Sequence, residues 1–153
     1  MPEPIKRHRS LQPVSREHHH GLLLSWKIRQ GLSLGIAPER IKKYTDWFWE
    51  NHLQPHFEFE ENYVFSILEK NQPLIKRALA EHRHLEQLFT AATMIESNLV
   101  SIEQELAAHI RFEERVLFNE VQKVASEEQL NHVEHAHSNS ITEDWQDEFW
   151  VRA

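Results

Sequence analysis

The sequence predicts an all-α protein: an antiparallel up-down-up-down four-helix bundle with a short fifth helix and a C-terminal tail. Three observations predict it. Only 3 glycines and 6 prolines punctuate 153 residues, too few turn formers for a β-rich chain of this size. Apolar residues recur three and four apart through four long segments that carry start and stop signals at their ends. The connections between these segments are short, which favours antiparallel neighbours.

The first helix is placed at about residues 15–33, entered through Pro13 and Ser15 and ended by Gly31, Ser33 and Gly35. Pro38 suits the first turn of a second helix, which runs to Lys70 before the turn Asn71-Gln72-Pro73. Pro55 lies inside it and lacks an N–H, so a kink is expected directly before His56. The third helix spans about 74–95, the stretch ESNLVS supplies a turn, and the fourth helix spans about 99–125. Ser126 with Gln129 three residues on forms a capping-box pattern for the short fifth helix, which ends in EHAHSNS. The tail ITEDWQDEFW interleaves Trp145, Phe149 and Trp150 with acids, and such rings are expected to cover an apolar seam of their own domain. The length is that of one domain, 1–153, with its bundle at about 11–125 and the short helix and tail at 126–153.

Composition narrows the function. The chain has 24 acidic and 17 basic side chains, a formal charge of −7, and no basic stripe with interleaved aromatics, so a nucleic-acid partner is not expected. Lys6, Arg7 and Arg9 read as a solvated end. The absence of cysteine removes disulfides and thiolate ligands, leaving nitrogen and oxygen to hold any metal. The stretch MPEPIKRHRSLQPVS has no apolar signal region and the longest apolar run is Leu22–Leu24, which predicts a cytoplasmic protein without a membrane partner. The 12 histidines direct attention to metal and proton chemistry.

Residues 56–65, HFEFEENYVF, and 109–118, HIRFEERVLF, share the pattern H··FEE···F. Residues four apart share a helix face, so His56 pairs with Glu60 and His109 with Glu113. Both pairs fall inside apolar stripes: Trp49, Leu53, His56, Glu60, Tyr63, Ile67 on one helix and Leu99, Ile102, Leu106, His109, Glu113, Val116 on the other. An unpaired buried carboxylate is costly and neither stripe contains Lys or Arg, so a cation held by Glu and His is the natural compensation. A second echo, Glu17-His18-His19-His20 against Glu81-His82-Arg83-His84, adds one inward histidine to each remaining helix, His18 and His82. His19 and His20 are expected at the boundary or outside, His84 in water, and His52 behind His56. His132, His135 and His137 read as a solvated helix end stabilised by its dipole. Phe59, Phe65, Phe112 and Phe118 are expected in the core. Two hairpins thus bring four histidines and two glutamates to one level, the donor type and count of a dinuclear metal site in a bundle core.

This arrangement, His18, His56-x-x-x-Glu60, His82 and His109-x-x-x-Glu113, resembles the hemerythrin-like HHE cation-binding domain over residues 11–125. The resemblance implies a non-heme di-iron centre with an oxo or hydroxo bridge. His18 and His56 would serve one iron, His82 and His109 the other, and Glu60 and Glu113 would bridge. It also implies binding or sensing of O2 or a related small oxidant, or iron handling, rather than turnover. Zinc or another divalent ion could occupy the same donors. The oxygen-carrying members have a fifth histidine one turn after the third-helix ligand, where this chain has Glu86. They also space the fourth-helix carboxylate five after its histidine, which would select Glu114. Glu86 and Glu61 are candidates to replace the missing ligand, and His19 is a further candidate beside His18. A site enriched in such carboxylates would favour higher-valent iron, so a di-iron oxidase or peroxidase stands as the enzymatic alternative. A zinc-bound or metal-free structural bundle is the third.

Overall fold

The computed structural model describes residues 6–137 and 145–151. The expected end of the His-rich segment at 138–140 and the start of the acidic tail at 141–144 lie outside the described residues. Among the described residues all regular structure is helical. Helix α1 (Gln12–Ser33) closes with Gly35 at φ 75°, where Ile36 N–H bonds Gly31 carbonyl and Gly35 N–H bonds Leu32 carbonyl. That pair of bonds satisfies the last carbonyls of the helix.

Helix α2 (Pro38–Phe48) passes through a π turn, Trp49–Leu53, into α3 (Gln54–Phe59). Gln54 N–H reaches back five residues to Trp49 carbonyl. The break expected at Pro55 is therefore taken up one turn earlier, where the wider turn accommodates a residue that has no N–H to give. A second π turn, Glu60–Val64, and a 3-10 turn, Phe65–Ile67, end the segment, short of the expected Lys70. Helix α4 (Pro73–Thr90) starts on Gln72, whose side chain accepts from Leu74 N–H. Helix α5 (Ile95–Phe112) leads through a third π turn, Glu113–Leu117, into α6 (Phe118–Val124). The turn between α4 and α5 falls at residues 91–94, with Met94 at φ 55°, and not in ESNLVS, which begins α5. Ser126 and Gln129 form both bonds of the capping box at the start of α7 (Glu127–Ala136).

Two apolar clusters make the core. One gathers Leu24 and Ile28, Leu53 and Phe57, Leu85 and Phe89, with Leu99 to Ile110 of α5. The other gathers Leu11 and Val14, Val64 and Phe65, Ile75 and Ala78, with Leu117, Phe118 and α7. Successive helical segments cross between the clusters in alternating directions. α1 packs on α2 and α5, and α4 packs on α2 and α5.

The π turns correct both stripes at one point. Beyond Glu113 the buried residue is Leu117, fully covered, while the expected Val116 is 44% exposed. Beyond Glu60 it is Val64 rather than Tyr63. One extra residue per turn moves the inward phase by one position, identically in both repeats. The tail rings behave as expected: Phe149 is buried in the first cluster and Trp145 and Trp150 pack against it. Gly31 permits this docking, since a Cβ there would lie 2.8 Å from Phe149 Cδ1 and 3.0 Å from Ile41 Cδ1. Gly31→Ala should cost about 1–3 kcal/mol by overpacking and shift tryptophan fluorescence as the tail lifts; unchanged fluorescence and melting temperature would contradict this packing.

Candidate metal centre

Each of four helical segments places one histidine where it crosses between the apolar clusters: His18 on α1, His56 on α3, His82 on α4 and His109 on α5. Glu60 and Glu113 open the π turns that follow α3 and α5, and both are fully buried. The six residues form one polar layer between two dry ones.

Their inner atoms converge. His18 Nε2 lies 3.4 Å from Glu60 Oε2 and 2.9 Å from Glu113 Oε1. His56 Nε2 is 3.3 Å from Glu60 Oε2, and His109 Nε2 is 3.3 Å from Glu113 Oε2. His82 Nε2 is 3.2 Å from Glu60 Oε1 and 3.6 Å from Glu113 Oε2. Each carboxylate thus turns one oxygen toward the His18 side and the other toward the His82 side. No hydrogen bond among the described residues reaches the four Nε2 atoms or the four carboxylate oxygens, although all are buried. Buried polar atoms are ordinarily hydrogen-bonded. Two donors on one ion, with bonds of about 2.1 Å, lie about 3.0–3.4 Å apart, and the separations here, 2.9 to 3.6 Å, centre on that range. His18, His56, Glu60 and Glu113 form one group able to hold a metal ion, and Glu60, His82, His109 and Glu113 form another, with the donor atoms of each group within 4.8 Å.

The outer nitrogens are fully engaged. His18 Nδ1–H donates to Glu114 Oε1 at 2.6 Å, and His82 Nδ1–H to Glu61 Oε2 at 2.8 Å. His56 Nδ1–H donates to Glu17 Oε1 at 2.8 Å, and His109 Nδ1–H to Glu81 Oε1 at 2.7 Å. A carboxylate accepts only, so each bond fixes its ring with the proton on Nδ1 and Nε2 aimed inward. Phe57 stacks on His82 at 3.7 Å between centroids and 6° between planes, and Phe118 on His18 at 5.4 Å and 25°.

Electrostatics follow from this crowding. Burial opposes protonation of His56, but the charge of Glu60, the bond to Glu17 and the close approach of Glu60 outweigh it and raise the imidazole to about 9. Burial likewise opposes protonation of His18 and His82, yet their glutamate contacts hold both well above the ordinary 6.5. His109 is raised against burial by Glu113 and Glu81. Burial and the neighbouring Glu113 charge push Glu60 upward, and His56 and His18 carry it down to about 2. Glu113 is held low against burial by His109, His18 and His82. All four imidazoles are shifted toward the protonated form and both inner carboxyls toward the ionised one.

Of the other candidates, Glu114 and Glu61 stand behind histidines rather than among the inner donors. Glu86 and His19 are exposed and lie outside both groups, so the position four after His82 does not reach the inner layer. His84 is exposed and paired with Glu105, and His52 packs on Trp47 and Phe48 rather than behind His56. His132 and His135 are exposed, whereas His137 departs from the expected solvated end and reaches Glu17 at 3.3 Å. Arg7 departs likewise, being tucked against Glu114. Glu17 and Glu81 were not singled out as site residues, yet the repeat carried the signal: a Glu precedes His18 and His82 alike. No protein-family model, curated protein or solved structure matches the chain.

The two shifts given as values set a pH window for the metal-free protein. The His56 contribution to stability is complete below the unfolded value of 6.5 and is lost as pH rises through about 9. The Glu60 contribution is complete above 4.5 and is lost as pH falls toward 2. Urea midpoints of chelator-treated protein should therefore be highest between about pH 4.5 and 6.5 and lower at pH 9.5; a midpoint that rises toward pH 9.5 would refute the charge state assigned to the cluster.

Proposed function

We propose that this chain is a hemerythrin-like four-helix bundle whose non-heme di-iron centre binds or senses O2 or a related small oxidant, or handles iron. One observation carries the reading. Eight buried atoms without hydrogen bonds divide into two sets, each made of two histidine nitrogens and one oxygen from each of two shared carboxylates. The alternation of the helical segments between the apolar clusters supports the up-down-up-down bundle.

Iron bound there would supply redox-active open positions for a small ligand. The chain's own residues do the rest. Glu60 and Glu113 offer an oxygen to each half, the outer glutamates fix the histidine rings and raise their basicity, and the apolar clusters on either side keep bulk water away. The placement of Glu61, Glu86 and Glu114 outside the inner layer leaves four histidines against two carboxylates. That nitrogen-rich balance favours ligand binding over the carboxylate-rich oxidase or peroxidase.

Proton linkage adds a quantitative expectation. Ligation needs each inner nitrogen free of its proton, and all four imidazoles are shifted toward the protonated form, so loading exchanges protons for metal. At pH 6, uptake of two divalent ions should release about four protons per chain, measured with a pH indicator, and fewer above pH 9. Release of about one proton or none would remove this reading of the layer.

Protein expressed aerobically with ample iron should carry about two iron ions per chain with near-ultraviolet charge-transfer absorption. Less than about one iron per chain would overturn the proposal and favour a structural bundle. His56→Ala and His109→Ala should each lose metal and stability, while His132→Ala, an exposed residue, should do neither. Admitting O2 to the anaerobically reduced protein separates reversible binding from oxidase or peroxidase turnover, in which O2 or peroxide and a co-substrate are consumed.

A further inference from the structure

The four histidines are alike at their inner nitrogens and unlike in what stands behind their outer ones. Behind His18, the Arg7 guanidinium donates to Glu114 carbonyl at 2.6 Å and to Glu114 Oε2 at 3.1 Å. It also donates to Gln122 Oε1 at 2.9 Å and Asn119 Oδ1 at 3.3 Å. Arg7 is 11% exposed at its side chain and lies 5.4 Å from the centre of the Phe118 ring that stacks on His18. Behind His56, the same Glu17 oxygen that accepts from the imidazole lies 3.3 Å from His137 Nε2. His137 is mostly buried, edge-on to Phe59. Both outer carboxylates of this half are thus held a second time, by segments outside the four site helices: the arm before α1 and the end of α7.

The other half is backed differently. Glu61 has a side chain 38% exposed and, among the described residues, pairs with His82 alone. Glu81 accepts from Arg77, which is itself exposed. A surface cleft of about 220 Å³ is lined by Glu61, His82 and Glu86, and another of about 370 Å³ by Glu81, His109 and Glu105. Glu61 and Glu81 border these clefts with side chains 38% and 30% exposed, against 18% for Glu17 and 28% for Glu114.

We propose that the two halves hold metal unequally: the His18/His56 half, clamped by Arg7 and His137, retains its ion, and the His82/His109 half exchanges its ion first. This rests on the two-metal reading above. For an ion to leave, a histidine must swing its Nε2 away, and the swing breaks the Nδ1 bond to its carboxylate. Where the carboxylate has no second partner among the described residues, or only the exposed Arg77, the bond opens readily. Where the mostly buried Arg7, itself tied by four hydrogen bonds, holds the carboxylate, opening requires the arm to lift as well. Arg7 is a positioning residue for His18 through Glu114.

The test uses the full chain loaded with Co2+ alone and followed by visible absorption after adding excess chelator. Release from the wild type should show two phases of equal amplitude. Arg7→Ala should speed the slow phase by about tenfold or more and leave the fast phase alone; His137→Gln should act on the slow phase too, and Glu61→Gln on the fast phase only. Circular dichroism checks that each variant is folded, and the His137 and Glu61 variants decide the matter if Arg7→Ala is not. Single-phase release from a fully loaded wild type, or variants that speed both phases alike, would overturn the inequality while leaving two-metal binding intact. Failure of the wild type to take up two Co2+ would sink both.

Discussion

Two carboxylates with no exposure to water, Glu60 and Glu113, lie between two apolar clusters, and most of the architecture answers to them. Unpaired, each would cost several kcal/mol. Four histidines from four helical segments surround them, and each histidine needs an acceptor behind it to hold its ring. Four further glutamates provide those acceptors. The helix faces that converge, the level at which they converge and the placement of an acid next to His18, Glu60, His82 and Glu113 all follow from keeping two charges inside.

The π turns belong to the same constraint. Two of the three, Glu60–Val64 and Glu113–Leu117, begin at a buried glutamate. A regular helix carries the face away from Glu60 toward Tyr63 and from Glu113 toward Val116; the wider turn keeps the next inward residue, Val64 or Leu117, four positions on. Buried carboxylate and buried apolar residue then stay in one line, so the charged layer can adjoin the second cluster with no wet gap.

Much of this was legible in the residues. The inward histidines and first glutamates followed from helical period and from the duplicated strings, because an α-helix maps spacing onto faces without reference to the rest of the molecule. The phase beyond Glu60 and Glu113 was misread because a π turn leaves no mark in an apolar-polar pattern. The turn at 91–94 was misplaced because it uses Met94 at positive φ in place of glycine or proline. Arg7 and His137 were read as solvated because their partners lie far away in sequence, at Glu114 and Glu17. Local chemistry was readable, and tertiary pairing of polar ends was not. The duplicated strings describe the symmetric interior, while the chain's unduplicated ends supply the asymmetry.

The four outer hydrogen bonds have a directional order. Glu17 on α1 serves His56 on α3; Glu61, just past α3, serves His82 on α4; Glu81 on α4 serves His109 on α5; Glu114, just past α5, serves His18 on α1. Every segment gives one acceptor and receives one, and the sequence closes on itself. The result is a hoop around the molecule's waist. A helix that slides or rolls strains the bond it gives and the bond it receives, passing tension to both neighbours, so the inner nitrogens keep their aim as a set. Parting any two neighbouring segments at this level breaks at least one link of the hoop.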